Sequence, residues 1–222
     1  MPATESFVYD AWIRLGAALA IPEGKAEEVW QIVKTAYGEP QRHYHTLDHI
    51  AAVLRNFDRL RPRFQKPEST GLALLFHDVV YDPSRQDNEA RSADLMNTLL
   101  AGQLDTAITD HACHAIRATQ HHRLDDDADT NRMLDIDMSI LGAPWAHYRA
   151  YAEGVAREYL PVYGFEAYAV GRAELFLKPT LARPHIFLTE DFAGLDGQAQ
   201  DNLRREQEMW QDGGFAFLKT GL

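Results

Sequence analysis

The chain of 222 residues contains a single cysteine, Cys113, which excludes an internal disulfide. Its first residues, MPATES, lack the basic and apolar regions of a secretory signal. Uninterrupted apolar runs are also short, and none approaches the ~20 residues that a transmembrane helix needs. These absences predict a soluble, cytoplasmic protein with no membrane partner.

Positive charge is scarce as well. Lys and Arg number 22 against 33 Asp and Glu, which gives a formal net charge of -11. Such a charge repels phosphate backbones at long range, so a nucleic-acid polymer is not expected as a partner. The content of 45% hydrophobic and 25% charged residues is typical of a globular protein, and the length fits one domain.

Alternating, strand-like patterns are hard to find, whereas apolar residues recur at helical spacing along most of the chain. The pattern therefore predicts an all-α fold. Segments 81–87 and 179–194 are predicted to be irregular. Helices are expected at about 4–19, 22–37, 46–60, 69–80, 88–100, 105–119, 130–141, 145–159, 165–177 and 196–218.

An adjacent imidazole and carboxylate, His77 and Asp78, interrupt the most apolar stretch, LALLFHDVVY at 72–81. Desolvating a carboxylate costs several kcal/mol unless a cation or hydrogen-bond donors compensate. The pair therefore favours a metal site, although a buried His-Asp pair or an Asp that caps a helix end is an alternative interpretation.

Two further histidines, His45 and His49, lie one helical turn apart at the start of the predicted helix 46–60. A helical projection places His49 at the edge of the apolar stripe, so both imidazoles can face one cavity. The alternative is that they are ordinary histidines near a helix start.

Two carboxylates lie in the helical segment MLDIDMSIL at 133–141. The helical projection assigns Asp135 to a solvated arc and Asp137 to the middle of the apolar arc. Asp137 is therefore predicted to be a metal ligand, with an ion pair to an arginine as the alternative. His121 and His122 follow the predicted helix 105–119, and either could be a further ligand or be exposed.

His49, His77, Asp78 and Asp137 together offer two imidazoles and two carboxylates. Such a donor set suits Mn, Fe, Mg or Zn, with Co and Ni as further candidates and one or two ions in the site. Open positions on the cation would permit metal-assisted hydrolysis.

Four fragments in this order resemble the HD superfamily of metal-dependent phosphohydrolases, and most closely a poorly characterised bacterial group within it. The fragments are RHYHTLDHI at 42–50, FHDVVYDP at 76–83, DNEARSA at 87–93 and DIDMSILG at 135–142. The resemblance implies an HD-domain-like helical bundle. It further implies a single domain over residues 1–222, with a metal-site core at about 42–142 and a helical extension at 143–222.

Residues 44–49 also resemble an element of cyclic-nucleotide phosphodiesterases, which implies that His45 is a general acid. The HD resemblance implies that Glu89 orients the attacking water, although a Glu in a first helical turn is equally explained by the helix dipole. Arg42 is a candidate for binding substrate phosphate because it lies beside His45.

The predicted function is thus hydrolysis of a phosphoester or phosphoanhydride in a small, nucleotide-like molecule. A di-iron oxygenase that uses His121 or His122 is one alternative, and a non-catalytic nucleotide- or ligand-binding module is another.

Overall fold

Local sequence signals mark several helix starts in the computed structural model, which describes residues 2–221 and the side chains of residues 2–219. Thr46 accepts a hydrogen bond from the Asp48 N–H at the start of the third helix, and Asp105 accepts one from the Ala107 N–H at the start of the sixth. The α-helices are α1 (Ala3–Ala18), α2 (Glu23–Tyr37), α3 (Leu47–Leu60), α4 (Pro67–Phe76), α5 (Asn88–Leu99), α6 (Thr106–Ala118), α7 (Ala128–Met138), α8 (Trp145–Tyr163), α9 (Phe165–Gly171), α10 (Lys178–Leu181) and α11 (Asp196–Gln211).

The predicted all-α class is confirmed, because no β-strand occurs among residues 2–221. Short 3-10 turns occupy Arg61–Arg63, Ser139–Gly142, Ala193–Leu195 and Ala216–Gly221, and a π-helical turn joins α9 to α10 at Arg172–Leu177. No helix in the described part of the chain is both long enough and apolar enough to cross a bilayer.

The chain divides into two compact units between Ile136 and Asp137. The predicted boundary between the metal-site core and the helical extension, at 142/143, therefore falls a few residues inside the second unit. Whether residues 1–222 act as one functional domain stays a prediction.

Helix α4 is the central element of the first unit. Its residues from Ser69 to Phe76 are all buried, and it packs against α1, α3, α5 and α6. This agrees with its apolar sequence, which has no polar face to present to water. At its N-terminus, a carboxylate oxygen of Asp129 accepts the N–H groups of Gln65 and Lys66 at 2.8 and 2.6 Å.

Several predicted helix ends differ from the structure. Helix α4 ends at Phe76 rather than near residue 80, so His77 and Asp78 lie in the turn that follows it. Helix α8 continues through Pro161 and ends where Gly164 adopts a positive φ of 74°.

The assignment of Asp135 to a solvated arc was wrong, since this residue is only 2% exposed. A helical projection assumes one solvent-facing side, but α7 is buried around most of its circumference, including the polar residues Asp129 and Asn131. Where a helix is covered around most of its surface, the period of the sequence no longer separates interior from surface.

The second unit is built around a buried arginine. Arg172 in the π-helical turn donates two hydrogen bonds to the Glu206 carboxylate on α11, at 2.9 and 3.1 Å. Tyr148 and Trp210 also donate to this carboxylate, and Arg172 donates to the Tyr151 hydroxyl. Full pairing makes burial of the two charges tolerable.

Candidate metal centre

Two helices bring His49, His77 and Asp78 together in the first unit. His49 lies in the first turns of α3 on the face that carries Ile50, so packing of this face directs the imidazole inward. Because α4 is surrounded by other helices, the turn at its end delivers His77 and Asp78 to the interior. The side chains of His49, His77 and Asp78 are 3%, 1% and 16% exposed.

The distances among the donor atoms fit a common cation. The Nε2 atoms of His49 and His77 are 3.1 Å apart, and the Asp78 Oδ2 lies 3.1 Å from the His77 Nε2 and 3.8 Å from the His49 Nε2. Ligand atoms about 2.1 Å from one cation lie about 3.0 Å apart at right angles and about 3.4 Å apart in a tetrahedron. These three residues therefore form a group that could hold a metal ion.

The orientation of His77 is fixed by the main chain. Its Nδ1 lies 2.9 Å from the carbonyl oxygen of Leu74, one turn earlier, and this acceptor requires that Nδ1 carry the proton. In the neutral ring the lone pair is then on Nε2, the atom that faces His49 and Asp78. A carbonyl partner of this kind is typical of metal-ligating histidines.

His45 lies at the more open side of this cluster. Its Nε2 is 4.0 Å from the Asp78 Oδ2, and its side chain is 18% exposed. The ring packs against Tyr81, with centroids 4.2 Å apart and an angle of 31° between the planes, while Tyr44 makes an edge contact at 5.0 Å. The structure thus brings His45 close to Asp78 and His49.

Glu89 is half-buried in the first turn of α5. Burial raises the pKa of its carboxyl above the usual range, and the nearby Asp78 carboxylate adds to this rise, whereas His122 and His121 oppose it. A carboxyl with a raised pKa is suited to proton transfer near neutral pH.

His121 and His122 lie beyond the end of α6, which stops at Ala118. A helical projection therefore cannot distinguish between these two residues. Nevertheless His122 is half-buried, with a positive φ of 44°, whereas His121 is exposed. Of the two, His122 is the better candidate ligand.

Asp137 lies in the last turn of α7 and is the first residue of the second unit. It is half-buried. Within this unit, burial raises the pKa of Tyr151, and the Asp137 carboxylate contributes to that rise. Its role as the fourth ligand stays a prediction.

Arg42 does not offer its guanidinium to a substrate. Its side chain is 1% exposed, and it donates to the main-chain carbonyls of His45, Asp78 and Val79 at 3.3, 2.6 and 3.1 Å. Its Nε donates to the Glu39 carboxylate at 2.9 Å. The predicted contact with substrate phosphate is not supported by this geometry, because the donors are engaged with the protein itself.

Two residues on α5 that no sequence motif indicated hold the loop after Asp78. The Ser92 hydroxyl accepts the Val80 N–H at 3.0 Å, and the Asn88 side chain bonds both the N–H and the carbonyl of Asp82. Asn88 and Ser92 are polar residues one helical turn apart, both buried. That spacing is the signal that could have identified them.

No family model, curated protein or solved structure matches this chain.

Proposed function

We propose that this protein is a metal-dependent phosphohydrolase that cleaves a phosphoester or phosphoanhydride in a small, nucleotide-like molecule. The observation that supports the proposal is the convergence of the His49 Nε2, the His77 Nε2 and the Asp78 Oδ2 within 3.1–3.8 Å. Two imidazoles and a carboxylate are a suitable donor set for a catalytic rather than a closed structural ion.

His49, His77 and Asp78 would hold the cation, with Asp137 proposed as a further ligand from the resemblance to HD phosphohydrolases. A bound divalent cation supplies a Lewis acid that polarises a phosphoryl oxygen and stabilises developing negative charge. Because imidazole favours Fe, Zn, Co or Ni and carboxylate favours Mn or Mg, the mixed set leaves these metals as candidates.

His45 is proposed as the group that gives a proton to the leaving oxygen. Its imidazole is the most exposed of the three histidines at the cluster, with 18% exposure against 3% for His49 and 1% for His77. A substrate can therefore reach His45 while the two inner rings hold the cation. Imidazole is the side chain most often used for such proton transfer.

Glu89 is proposed to orient the attacking water and take its proton. The raised pKa of this carboxyl, caused first by burial, supports the role. A small anionic substrate and a cytoplasmic location complete the proposal.

The proposal can be tested on protein purified without chelators. Metal content is measured first, and hydrolysis of a panel of phosphomonoesters, phosphodiesters and nucleotides is then followed with Mn, Mg, Co and Ni. Asp78→Asn is expected to lower turnover about 100-fold or more, because it removes a charged ligand. Asp94→Asn, an exposed carboxylate on α5 that pairs with Arg117, is the matched control and is expected to retain full activity.

Equal turnover in Asp78→Asn and wild type would contradict the proposal. Oxygen consumption by protein loaded with iron, without hydrolysis of any phosphate ester, would identify the oxygenase alternative. Tight nucleotide binding without turnover in any metal would identify a non-catalytic module.

A further inference from the structure

Arg42 joins two parts of the candidate centre that are far apart in sequence. Its guanidinium contacts the carbonyl oxygen of His45, which belongs to the segment before α3, and those of Asp78 and Val79, which belong to the turn after α4. The first segment carries the proposed proton donor, and the second carries a proposed ligand. We call Arg42 and these three carbonyl groups the Arg42 clamp.

We propose that Arg42 is a positioning residue that sets the separation between the His45 imidazole and the Asp78 carboxylate. This inference rests on the proposed function, since the separation matters only if the proton donor and the metal ligand act on one substrate. Arg42 would therefore act inside the protein, rather than on the substrate as the sequence predicted.

The chemistry of the guanidinium explains why the clamp uses arginine. Its planar fork presents five N–H groups in fixed directions, so one side chain can hold several carbonyls at set positions. The guanidinium donates to the three carbonyl oxygens at 2.6, 3.1 and 3.3 Å, and its Nε donates to the Glu39 carboxylate in a different direction. A lysine would supply one mobile ammonium group and could not hold the same carbonyls together.

The surroundings keep the guanidinium in place. Its central carbon lies 5.2 Å from the centroid of the Tyr37 ring and 5.4 Å from that of Tyr81. The Tyr37 hydroxyl donates to the Leu75 carbonyl in the last turn of α4, and the Tyr81 ring packs on His45. One flanking ring is therefore attached to the end of α4, just before the second clamped segment, and the other ring contacts the first segment through His45. The Glu39 carboxylate compensates the buried positive charge.

The first arm of the test measures how strongly the clamp protects the backbone from hydrogen exchange in metal-free protein. Hydrogen exchange is followed by mass spectrometry in the segments 43–46 and 79–82, where the N–H groups of Thr46 and Val79 bond to nearby carbonyls. In Arg42→Lys, both segments are expected to exchange about tenfold faster, because each loses its attachment to the other. Arg42→Met, which also removes the charge, is expected to show an equal or larger effect.

The control is Asp129→Asn, which weakens the cap at the opposite end of α4 without touching the clamp. It is expected to lower global stability while the relative protection of segments 43–46 and 79–82 stays unchanged. A variant that acts only through general destabilisation of α4 would behave like this control.

The second arm measures the Co²⁺ dissociation constant and the visible absorption bands of bound Co²⁺. Loss of the positioning contact is expected to weaken Co²⁺ binding by Arg42→Lys about tenfold and to alter the bands, with Asp129→Asn within twofold of wild type.

Unchanged exchange in Arg42→Lys would overturn the clamp. Faster exchange with unchanged Co²⁺ affinity and spectrum would also overturn the inference, because Arg42 would then be merely structural. If wild type and Asp78→Asn bind Co²⁺ equally, the proposed metal centre itself fails and the positioning role fails with it, whatever the exchange arm shows.

Discussion

The Nε2 atoms of His49 and His77 face each other at 3.1 Å in the interior of the first unit. With the Nδ1 proton of His77 donated to the Leu74 carbonyl, the neutral His77 ring presents a lone pair to His49. At that separation the His49 Nε2 must either donate a proton to this lone pair or share a cation with it, because two facing lone pairs would repel each other. The adjacent Asp78 carboxylate would stabilise either positive group, and the proposed metal centre assigns this position to a cation.

Metal binding is therefore expected to stabilise the protein through His49. Titration with Co²⁺ or Mn²⁺ should raise the melting temperature of wild type, and free metal at 100 times Kd corresponds to about 2.7 kcal/mol. The His49→Gln variant should lose this shift, and a chelator should reverse it in wild type. Differential scanning calorimetry measures both effects.

His114→Gln is the matched control for that experiment. His114 is 54% exposed and pairs with Asp125, so its loss removes an imidazole without changing the cluster. A metal-dependent shift of equal size in wild type, His49→Gln and His114→Gln would show that the ion binds elsewhere.

Much of the local structure was predictable because its causes are local. The caps at Thr46 and Asp105 and the prolines before α2 and α8 set helix starts within one or two residues of those predicted. The inward orientation of the His49 side chain was predictable from the apolar periodicity of α3. The interruption of an apolar run by His77 and Asp78 was a sufficient signal that the two side chains need partners.

The remaining features depend on contacts that leave no local pattern. Arg42 bonds main-chain carbonyls, which every residue has, so no side-chain type at 78 or 79 could reveal its partners. The same is true of Asp129, whose carboxylate accepts backbone N–H groups more than 60 residues earlier in the chain. Asp135 was assigned to solvent because a projection of one helix cannot show what packs on its other side.

In the second unit, Glu206→Gln is expected to lower the free energy of unfolding by about 3–5 kcal/mol. The substitution preserves side-chain shape but leaves the buried Arg172 guanidinium without its counter-charge. Urea denaturation followed by circular dichroism measures the loss. Glu208→Gln, an exposed change on the same helix, should have an effect within about 0.5 kcal/mol. A loss below about 1 kcal/mol in Glu206→Gln would show that Arg172 finds compensation elsewhere.

The Glu206 carboxyl group also makes the free energy of unfolding depend on pH. Burial raises the pKa of Glu206, but the charge and hydrogen bonds of Arg172 outweigh burial and hold the pKa below its usual range. A carboxyl whose pKa is lowered by folding contributes stability above its unfolded pKa of about 4.3, and this contribution is lost as pH falls through the folded value. The free energy of unfolding should therefore decline below about pH 4.5.

Urea denaturation between pH 3 and 7 tests this expectation. The decline should be shallower in Glu206→Gln, which has no carboxyl to protonate, whereas Glu208→Gln should follow the wild-type curve. Identical slopes in wild type and Glu206→Gln would mean that other carboxyl groups, such as Asp127 with its lowered pKa, account for the acid sensitivity.

Gly142 is required by a close approach of two segments in the second unit. A Cβ added at this position would lie 2.6 Å from the Cβ of Leu195, a distance at which the backbone must move. The Asn202 side chain donates to the carbonyls of Leu141 and Ala143 on either side, so a shift of this turn would also strain those bonds at 2.7 and 2.8 Å. Gly142→Ala is expected to lower the free energy of unfolding by about 1–3 kcal/mol.

Two further variants make this prediction specific. Gly171→Ala adds a Cβ that meets nothing within 4 Å, and in a helix it should be neutral or stabilising by up to about 1 kcal/mol. Because the short distance joins the two Cβ atoms, Leu195→Ala should fail to rescue Gly142→Ala, since it keeps its Cβ, whereas Leu195→Gly should remove the overlap. Thermal denaturation of the two double variants, each compared with its Leu195 single variant, decides the matter. Equal recovery in both would place the conflict at the outer atoms of the leucine rather than at its Cβ.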